Sequence, residues 1–249
     1  MPDISVVMIT KNAERKLEQC LASLSSFPEV IIYDNGSTDN TLDIAAKFPN
    51  VKIFEGEFFG FGETKKHAST LASHDWVFSL DADEVVSVEL AKELQSINLD
   101  TQSCYQVRRD NYYRGKHIKC CGWYPEYIVR LYHRGVTNFS HAKVHETIES
   151  KGLHIKKLHA PIEHYSFDSV ADFLVKIQSY SEIYANDMQG KKQVSVLAGV
   201  GRGLFAFIKS YFFRKGMFCG FEGLVIAFFH GLGTTVKYLK LYEKNNPKP

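Results

Sequence analysis

The sequence predicts an α/β fold in which helices flank a mostly parallel sheet and a helical extension follows at the C-terminal end. Short apolar runs recur between residues 4 and 80, and segments of helical periodicity separate them. This alternation is typical of parallel strands, because each intervening helix returns the chain to the same end of the sheet. With 249 residues, of which 45% are hydrophobic, the chain is long enough for one large α/β domain and an appendage.

Four buried strands are predicted in the first third of the chain. Each is a short apolar run that ends at polar or turn-forming residues, as expected for strands covered on both faces. The predicted strands are 4–9, 30–33, 51–54 and 76–80.

The helices between these strands follow from periodicity and capping residues. The first helix places Leu17, Leu21 and Leu24 on one face. The second begins at 37–41, where Ser, Thr, Asp and Asn are typical N-terminal capping residues. The third follows a glycine-containing loop and is expected near 64–73.

Residues 100–165 have a different pattern, since short strand-like runs are separated there by Gly, His and aromatic residues. We expect an antiparallel section over the edge of the sheet. A helix is predicted at 169–188, and residues 195–240 alternate apolar clusters with Gly, Lys and Arg.

The distribution of charge supports a separate C-terminal extension. The net charge of +2 combines 20 Lys/Arg and 26 Asp/Glu in residues 1–189, which is −6, with 10 and 2 in residues 190–249, which is +8. We therefore predict a main domain at 1–168 and a basic, apolar helical extension at 169–249.

Composition excludes several classes of protein. The hydrophobic content is that of a globular chain, which excludes a wholly disordered or collagen-like protein. Five Cys are too few for a disulfide scaffold, and no C-x-x-C pair is present for zinc or thiol chemistry. Most Cys are expected to be buried thiols in a reducing compartment. The first residues lack a basic segment and a cleavage site, so no signal peptide is expected.

Polar residues follow three of the predicted strands, at the end where parallel sheets bind ligands. They are Thr10-Lys11-Asn12, Asp34-Asn35-Gly36-Ser37 and Asp81-Ala82-Asp83. Asp34 suits either a helix cap or a ligand contact, whereas Asp39, in the first turn of a helix, suits a structural role.

Asp81 and Asp83 carry the sharpest chemical signal. Two carboxylates one residue apart after an apolar strand can share one hard cation, and Mg²⁺ or Mn²⁺ takes such oxygen ligands together with substrate phosphates. A solvated acidic turn is the alternative. Position favours the cation, because two other polar strand ends precede this one along the chain.

The three strand-end motifs resemble those of family 2 glycosyltransferases in order and spacing. Residues 4–12 (ISVVMITKN) resemble the opening strand of that family, 33–41 (YDNGSTDNT) its second-strand motif, and 76–84 (WVFSLDADE) its D-x-D strand. The resemblance implies a Rossmann-like GT-A fold, a nucleoside-diphosphate sugar donor, a divalent metal (Mg²⁺ or Mn²⁺) and inversion at the anomeric carbon.

The same resemblance implies roles for the residues at the strand ends. Thr10 and Asn12 would bind the nucleotide sugar, and Asp34 would contact the nucleobase. Asp81 would lie near both ribose and metal, and Asp83 would ligate the metal.

Lys65 and Lys66 precede the D-x-D strand, just inside the predicted third helix. Positive charge near a helix N-terminus can neutralise the donor diphosphate. A solvated helix face is the alternative for both side chains.

Looser motifs further along resemble the bacterial lipopolysaccharide inner-core β-1,4-glucosyltransferases. They are 123–134 (WYPEYIVRLYHR), 144–146 (VHE) and 164–166 (HYS). This resemblance implies transfer of a hexose, glucose from UDP-glucose, to a glycolipid or oligosaccharide acceptor such as inner-core heptose. Residues 1–99 would form the nucleotide-sugar half of the domain and 100–168 the acceptor half.

An inverting transfer needs a base for the acceptor hydroxyl and positive charge for the leaving nucleoside diphosphate. The metal held by Asp83 would supply the charge. Glu146, which follows a strand in the region that covers the sugar, is the expected base, and Glu126 is its rival. Many relatives use an Asp of a Glu-Asp pair, which this chain lacks after residue 100. Either Glu also suits a surface salt bridge.

Three further side chains have a functional and a structural interpretation. His164 is expected either as a third metal ligand, with Asp81 and Asp83, or as a structural histidine. Trp123 and Arg130 suit the acceptor side of the site, or packing.

The basic extension suits an anionic membrane surface. Its apolar clusters, flanked by Lys and Arg, are typical of helices that lie in the membrane interface. The longest stretch without charge, residues 223–236, is shorter than the ~20 residues that a spanning helix needs. We expect a cytoplasmic protein on the inner face of the cytoplasmic membrane. Packing on the core or on a second subunit is the alternative, and the phenylalanine-rich clusters argue against nucleic-acid binding.

Two other functions compete with the glycosyltransferase. A non-catalytic nucleotide-sugar-binding or membrane-adaptor protein would retain the fold, but the intact Asp81 and Asp83 pair weighs against it. A sugar nucleotidyltransferase would need a Gly-rich basic loop after the first strand, and the sequence there is Thr10-Lys11-Asn12-Ala13-Glu14-Arg15.

Overall fold

A computed structural model describes residues 3–140 and 146–247, and these form nine strands and seven α-helices. The first part of the chain contains β1 (Ile4–Thr10), α1 (Glu14–Ala22), β2 (Glu29–Asp34), α2 (Thr41–Ala45), β3 (Val51–Glu55), α3 (Phe61–Thr70), β4 (Trp76–Ser79), β5 (Glu84–Val86) and α4 (Val88–Ser96). It is followed by β6 (Ser103–Tyr113), β7 (Lys116–His117), β8 (Glu126–His133), β9 (His154–Phe167), α5 (Val170–Met188), α6 (Val196–Ile208) and α7 (Gly220–Asn245).

The strands form one mixed sheet in the order β3-β2-β1-β4-β8-β6-β9-β5, with β7 paired to β6. The strands β3, β2, β1 and β4 are parallel, and β8 joins β4 in the antiparallel sense. The predicted α/β class is confirmed, and so is the antiparallel section after residue 100. That section continues the same sheet rather than lying over its edge.

The predicted strands and helices of the first third agree with the structure. The strands β1 and β2 are buried almost throughout, and α1 packs against them through Leu17 and Leu21. Only the third helix differs, because α3 begins at Phe61. Its start is set by Gly60, whose positive φ of 100° favours glycine, and by Thr64, whose Oγ1 accepts a hydrogen bond from the amide of Phe59.

The chain divides into two compact units. The first comprises the described residues of Met1–Arg109 and Glu126–His164, and the second those of Asp110–Pro125 and Tyr165–Pro249. The second unit is therefore discontinuous in sequence. The functional boundary at residue 168 stays a prediction.

The second unit has its own core, in which α7 packs on α5 and α6. The predicted helix at 169–188 is confirmed, and the Asp172 carboxylate caps it by accepting the Ser169 amide at 2.8 Å. The helices α6 and α7 approach closely at Gly203 and Gly231. A Cβ at Gly203 would lie 2.8 Å from the Gly231 carbonyl oxygen, so only glycine allows this contact.

Cysteines have two different states in the structure. Cys20, Cys104 and Cys121 are buried thiols, as the sequence predicts. Cys120 and Cys219 form a disulfide within the second unit, across 99 residues of sequence. Sequence spacing gave no indication of this pairing.

Candidate active site

The ends of β1 and β2 are joined through Asp34. Thr10 and Asp34 are register partners, and the Thr10 hydroxyl donates to Asp34 Oδ1 at 2.8 Å. The Asp34 carboxylate also accepts the amides of Gly36 at 3.0 Å and Ser37 at 2.7 Å, and the Ser37 hydroxyl at 2.6 Å. Asp34 is fully buried and orders the turn that follows β2.

Asn12 ties the loop after β1 to the loop after β2. Its backbone lies in the left-handed region at φ 52°, which Asn tolerates better than most residues. Its side-chain Oδ1 accepts a hydrogen bond from the Thr38 backbone amide at 2.8 Å, and its backbone N–H donates to Ser37 Oγ at 2.8 Å. The structure thus brings Thr10, Asn12 and Asp34 to one end of the parallel strands, and their contacts with a donor stay predictions.

Asp81 follows β4 and lies between two cations. Its Oδ1 is 2.8 Å from Lys65 Nζ, and its Oδ2 is 2.6 Å from Arg130 Nη2. Lys65 comes from α3 and Arg130 from β8, and both side chains are buried. The Asp81 side chain retains 31% exposure, so it is accessible from solvent.

Electrostatics keeps this group charged. Burial raises the pKa of Asp81, but Arg130 and Lys65 outweigh burial and hold that pKa well below its usual range. Burial lowers the pKa of Lys65, and the carboxylates of Asp81 and Glu146 outweigh it, so the pKa of Lys65 is raised. Asp81 and Lys65 are therefore an ionised pair at neutral pH.

Glu84 anchors this arrangement from inside the protein. Its carboxylate is fully buried, lies 2.6 Å from Arg130 Nη2 and accepts the Asp81 amide at 2.9 Å. Arg109 adds a longer contact with Glu84 at 3.4 Å and forms a two-pronged pair with Glu126 at 3.0 and 2.8 Å. Sequence reasoning missed Glu84 and Arg109, although Glu84 directly follows the D-x-D motif.

Glu146 reaches the same group through Lys65. Its Oε1 lies 2.9 Å from Lys65 Nζ, which also sits 5.5 Å from the centre of the Phe139 ring. The other two residues of that motif, Val144 and His145, lie outside the described residues. The two candidate bases thus differ in surroundings, since Glu146 joins the Asp81 group and Glu126 is held by Arg109.

Asp83 and His164 form a second, smaller pair. His164 Nε2 lies 3.4 Å from Asp83 Oδ1, because β5 pairs with β9 and places His164 opposite Glu84. Among residues 3–140 and 146–247 no three His, Cys, Asp or Glu side chains converge as a complete metal site. Asp83 and His164 nevertheless fit a divalent cation that takes its remaining ligands from phosphate oxygens and water.

Lys66 and Trp123 complete the set of predicted residues. Lys66 is partly buried on α3, next to Lys65. Trp123 lies in the second unit and stacks on Phe167 and Phe173, with ring centres 5.5 and 6.4 Å away. Packing therefore accounts for Trp123, and its role on the acceptor side stays a prediction.

Comparison with known proteins agrees with the resemblance of the motifs. The sequence profile of Glycosyl transferase family 2 matches residues 5–139. An uncharacterized glycosyltransferase of Rickettsia typhi is 30% identical over 98% of this chain and 88% of its own length. The lipopolysaccharide core biosynthesis glycosyltransferase LpsC of Rhizobium meliloti is 24% identical over 97% of this chain and 93% of its own.

A solved structure shares the fold. The crystal structure of S. aureus TarS 1-349 in complex with UDP superposes with a TM-score of 0.50, at 16% sequence identity, over 97% of this chain and 90% of that one. The profile covers more than half of the chain, and the Rickettsia relative matches it nearly end to end. The protein is a glycosyltransferase and belongs to glycosyl transferase family 2.

Proposed function

We propose that the protein is an inverting, metal-dependent hexosyltransferase that uses a UDP-sugar and acts on a lipopolysaccharide-core saccharide. The observation that carries the proposal is the Lys65–Asp81–Arg130 group at the end of β4, in which a half-buried carboxylate lies between two buried cations, with Glu146 also in contact with Lys65. It combines cationic side chains for a diphosphate with carboxylates for a metal and for a proton.

The donor lies at the ends of β1, β2 and β4 in this proposal. Thr10, Asn12 and Asp34 shape the nucleotide side, and Asp34 contacts the nucleobase through the turn that it orders. Lys65 and Lys66 meet the diphosphate. The fold shared with TarS, whose crystal structure contains UDP, supports a uridine nucleotide.

Asp83 and His164 would hold Mg²⁺ or Mn²⁺, with Asp81 as a third ligand that also faces the ribose. Such an ion, when bound, neutralises the negative charge that develops on the leaving diphosphate. Lys65 adds a second positive charge from the protein itself. Its ammonium is buried, where water screens charge less than at the surface.

Glu146 is the base that takes the proton of the acceptor hydroxyl on a carboxylate oxygen. Lys65 holds and orients its carboxylate through the 2.9 Å contact. Glu126 is the weaker candidate because Arg109 occupies both of its carboxylate oxygens.

Glucose as the sugar and inner-core heptose as the acceptor follow from the motif resemblance, and the name of LpsC supports a lipopolysaccharide core acceptor. A glycolipid acceptor places the enzyme at the inner face of the cytoplasmic membrane. The +8 charge of residues 190–249 supports an anionic surface as its partner there.

The deciding experiment is transfer from UDP-glucose to heptose-ended core oligosaccharide, with Mg²⁺, with Mn²⁺ and with chelator. Asp83→Ala should lower turnover by at least ~100-fold, since it removes the carboxylate that holds the metal. Glu89→Ala, an exposed carboxylate on α4, is the matched control. Full activity of Asp83→Ala would refute the metal role, and donor binding without turnover on any acceptor would favour a non-catalytic nucleotide-sugar-binding protein.

A screen of nucleotide sugars by thermal shift, with and without Mn²⁺, tests the donor separately. A ligand that binds the folded protein raises the apparent melting temperature, and the rise grows with the logarithm of the ligand concentration divided by its Kd. Stabilisation by a different nucleotide sugar, and none by UDP-glucose, would change the assigned donor without touching the assigned fold.

A further inference from the structure

The connection between α6 and α7 exposes an unusual number of aromatic side chains. We name residues 212–221 the aromatic tip. Its exposed apolar side chains, with exposed fractions of 46–77%, are Phe212, Phe213, Met217, Phe218 and Phe221. Large apolar side chains exposed together within ten residues are typical of a site of interaction with a protein or a membrane.

The backbone of the aromatic tip is held in place from its inner side. Cys219 is joined to Cys120 by the disulfide, and the Cys121 amide donates to the Arg214 carbonyl at 2.7 Å. Gly216 is buried, and a Cβ there would lie 2.9 Å from both Cys121 Sγ and the Ser210 carbonyl oxygen. The inner face is therefore filled, and the phenylalanines point outward as part of an ordered structure.

Cations are placed among these aromatic side chains. Arg214 and Lys215 are exposed within the aromatic tip, and residues 190–249 carry ten Lys/Arg against two Asp/Glu. Two copies meeting at this patch would bring like charges together. An anionic lipid surface instead offers acyl chains to the phenylalanines and phosphates to the cations.

Helix α6 continues the apolar surface of the aromatic tip. Among the described residues, Val196–Phe213 is the one stretch long and apolar enough to cross a membrane, and only 17% of it is buried. It contains Arg202 and Lys209, and α6 packs along α7 at Gly203. These two charges and this packing favour a helix that lies along a surface over one that spans it.

We infer that the aromatic tip inserts into the interface of an anionic phospholipid bilayer, with Phe213 and Phe218 among the acyl chains and with Arg214 and Lys215 at headgroup phosphates. This inference rests on the membrane association proposed above and assigns it to ten residues. The remainder of the basic extension then contributes long-range attraction.

The test measures partition of the full chain onto vesicles of phosphatidylcholine with phosphatidylglycerol and onto vesicles of phosphatidylcholine alone. Phe213→Ser/Phe218→Ser should lower binding to the anionic vesicles by about tenfold or more. Arg214→Gln/Lys215→Gln should reduce the preference for anionic over neutral vesicles. The matched control is Val88→Ser/Val136→Ser, which removes apolar side chains of 65% and 46% exposure from the first unit.

A second readout guards against a variant that fails to fold. The tryptophan introduced by Phe213→Trp should be quenched by brominated lipids. The tryptophan introduced by Val88→Trp, in the first unit, should fluoresce without being quenched by them. Unchanged vesicle binding of Phe213→Ser/Phe218→Ser would overturn the inference. So would a dimer of the wild-type chain, seen without lipid and lost in that variant, because it would assign the patch to a second copy.

These assays separate the inference from the proposed activity. Vesicle binding needs neither donor nor acceptor, and it is expected even if no sugar is transferred. Transfer to a soluble oligosaccharide should be the same in Phe213→Ser/Phe218→Ser as in the wild type. If the proposed activity is wrong, neither protein will show transfer.

Discussion

The buried ammonium of Lys65 forms an ion pair with the half-buried Asp81, with 2.8 Å between Lys65 Nζ and Asp81 Oδ1, and the same ammonium lies 2.9 Å from Glu146. One cation therefore serves two carboxylates with different proposed roles. A donor diphosphate that meets Lys65 would draw on the charge that holds both of them, so donor binding and the state of the proposed base are linked.

Replacement of Lys65 tests this linkage. Lys65→Met removes the buried cation that contacts both Glu146 and Asp81 and leaves Arg130 beside Asp81, at an expected cost of about 3 kcal/mol of unfolding free energy. We also expect the melting-temperature increase with UDP to fall. Urea unfolding and UDP titration measure both effects, with exposed Lys47→Met as the control. Wild-type stability and UDP affinity in Lys65→Met would contradict the role given to Lys65.

Arg130 and Glu84 should depend on each other for stability. Arg130→Met leaves the fully buried Glu84 carboxylate without its nearest cation, at a cost of about 3–5 kcal/mol. Adding Glu84→Gln removes the uncompensated charge and should restore part of that loss. A double-mutant cycle in urea measures the coupling. Strictly additive costs would show that the two side chains act independently.

Glu29 predicts a specific loss of stability in acid. Burial raises the pKa of Glu29, but hydrogen bonds from Lys52, Ser5 and Ser73 outweigh burial and lower that pKa to about 2. Because the folded pKa is lower than the unfolded value, this stabilisation is complete at neutral pH and is lost as the pH falls from about 4.5 towards about 2.

Glu29→Gln should therefore destabilise the protein by about 2 kcal/mol at pH 7 and by less at pH ~3.5. Unfolding free energies of both chains, measured by urea at the two pH values, make the comparison. The exposed Glu89→Gln should show no such trend. A difference that grows on acidification would contradict a lowered pKa for Glu29 in the folded protein.

The two candidate bases should separate in kinetics. Glu146→Gln should lower kcat by ~10²–10⁴-fold, as loss of a general base does. Glu126→Gln should lower stability through Arg109 and leave turnover largely intact. Steady-state kinetics and thermal unfolding of each variant distinguish the two candidates. Full activity of Glu146→Gln would assign the role of the base to Glu126 or to another residue.

Trp123 should matter more for packing than for the acceptor. Removing its ring from the stack with Phe167 and Phe173 should cost about 3 kcal/mol. We expect Trp123→Ala to lower the melting temperature, while Trp123→Phe keeps most of the stacking and the wild-type acceptor KM. A raised acceptor KM in Trp123→Phe at unchanged stability would place Trp123 on the acceptor side.

The sequence was sufficient to predict the parallel strands and the residues at their ends, because both depend on local pattern. Thr10, Asp34 and Asp81 fall at strand ends as expected. Strand pairing was not predictable in the same way. Arg130 reaches Asp81 only because β8 adds next to β4, and no local signal marks a contact between residues 49 apart.

The same reason explains what was missed about Glu84, Arg109 and the disulfide. A buried carboxylate after a strand looks like part of an acidic turn until its partners are known, and those partners come from β6 and β8. The disulfide joins cysteines 99 residues apart, a separation from which no pairing can be deduced.

The second unit includes residues 110–125 from the middle of the chain. This affects how sugar transfer and membrane binding can be separated by experiment. Its core packs Ile118 and Cys120 with Phe173, Ile226 and Phe229, which come from the basic extension. A protein truncated after residue 168 would keep Ile118 and Cys120 but lose Phe173, Ile226 and Phe229, which pack against them. The extension is thus not a detachable anchor, and a truncated enzyme that lost activity would say nothing about membranes. Only point substitutions on its outer surface can distinguish the two.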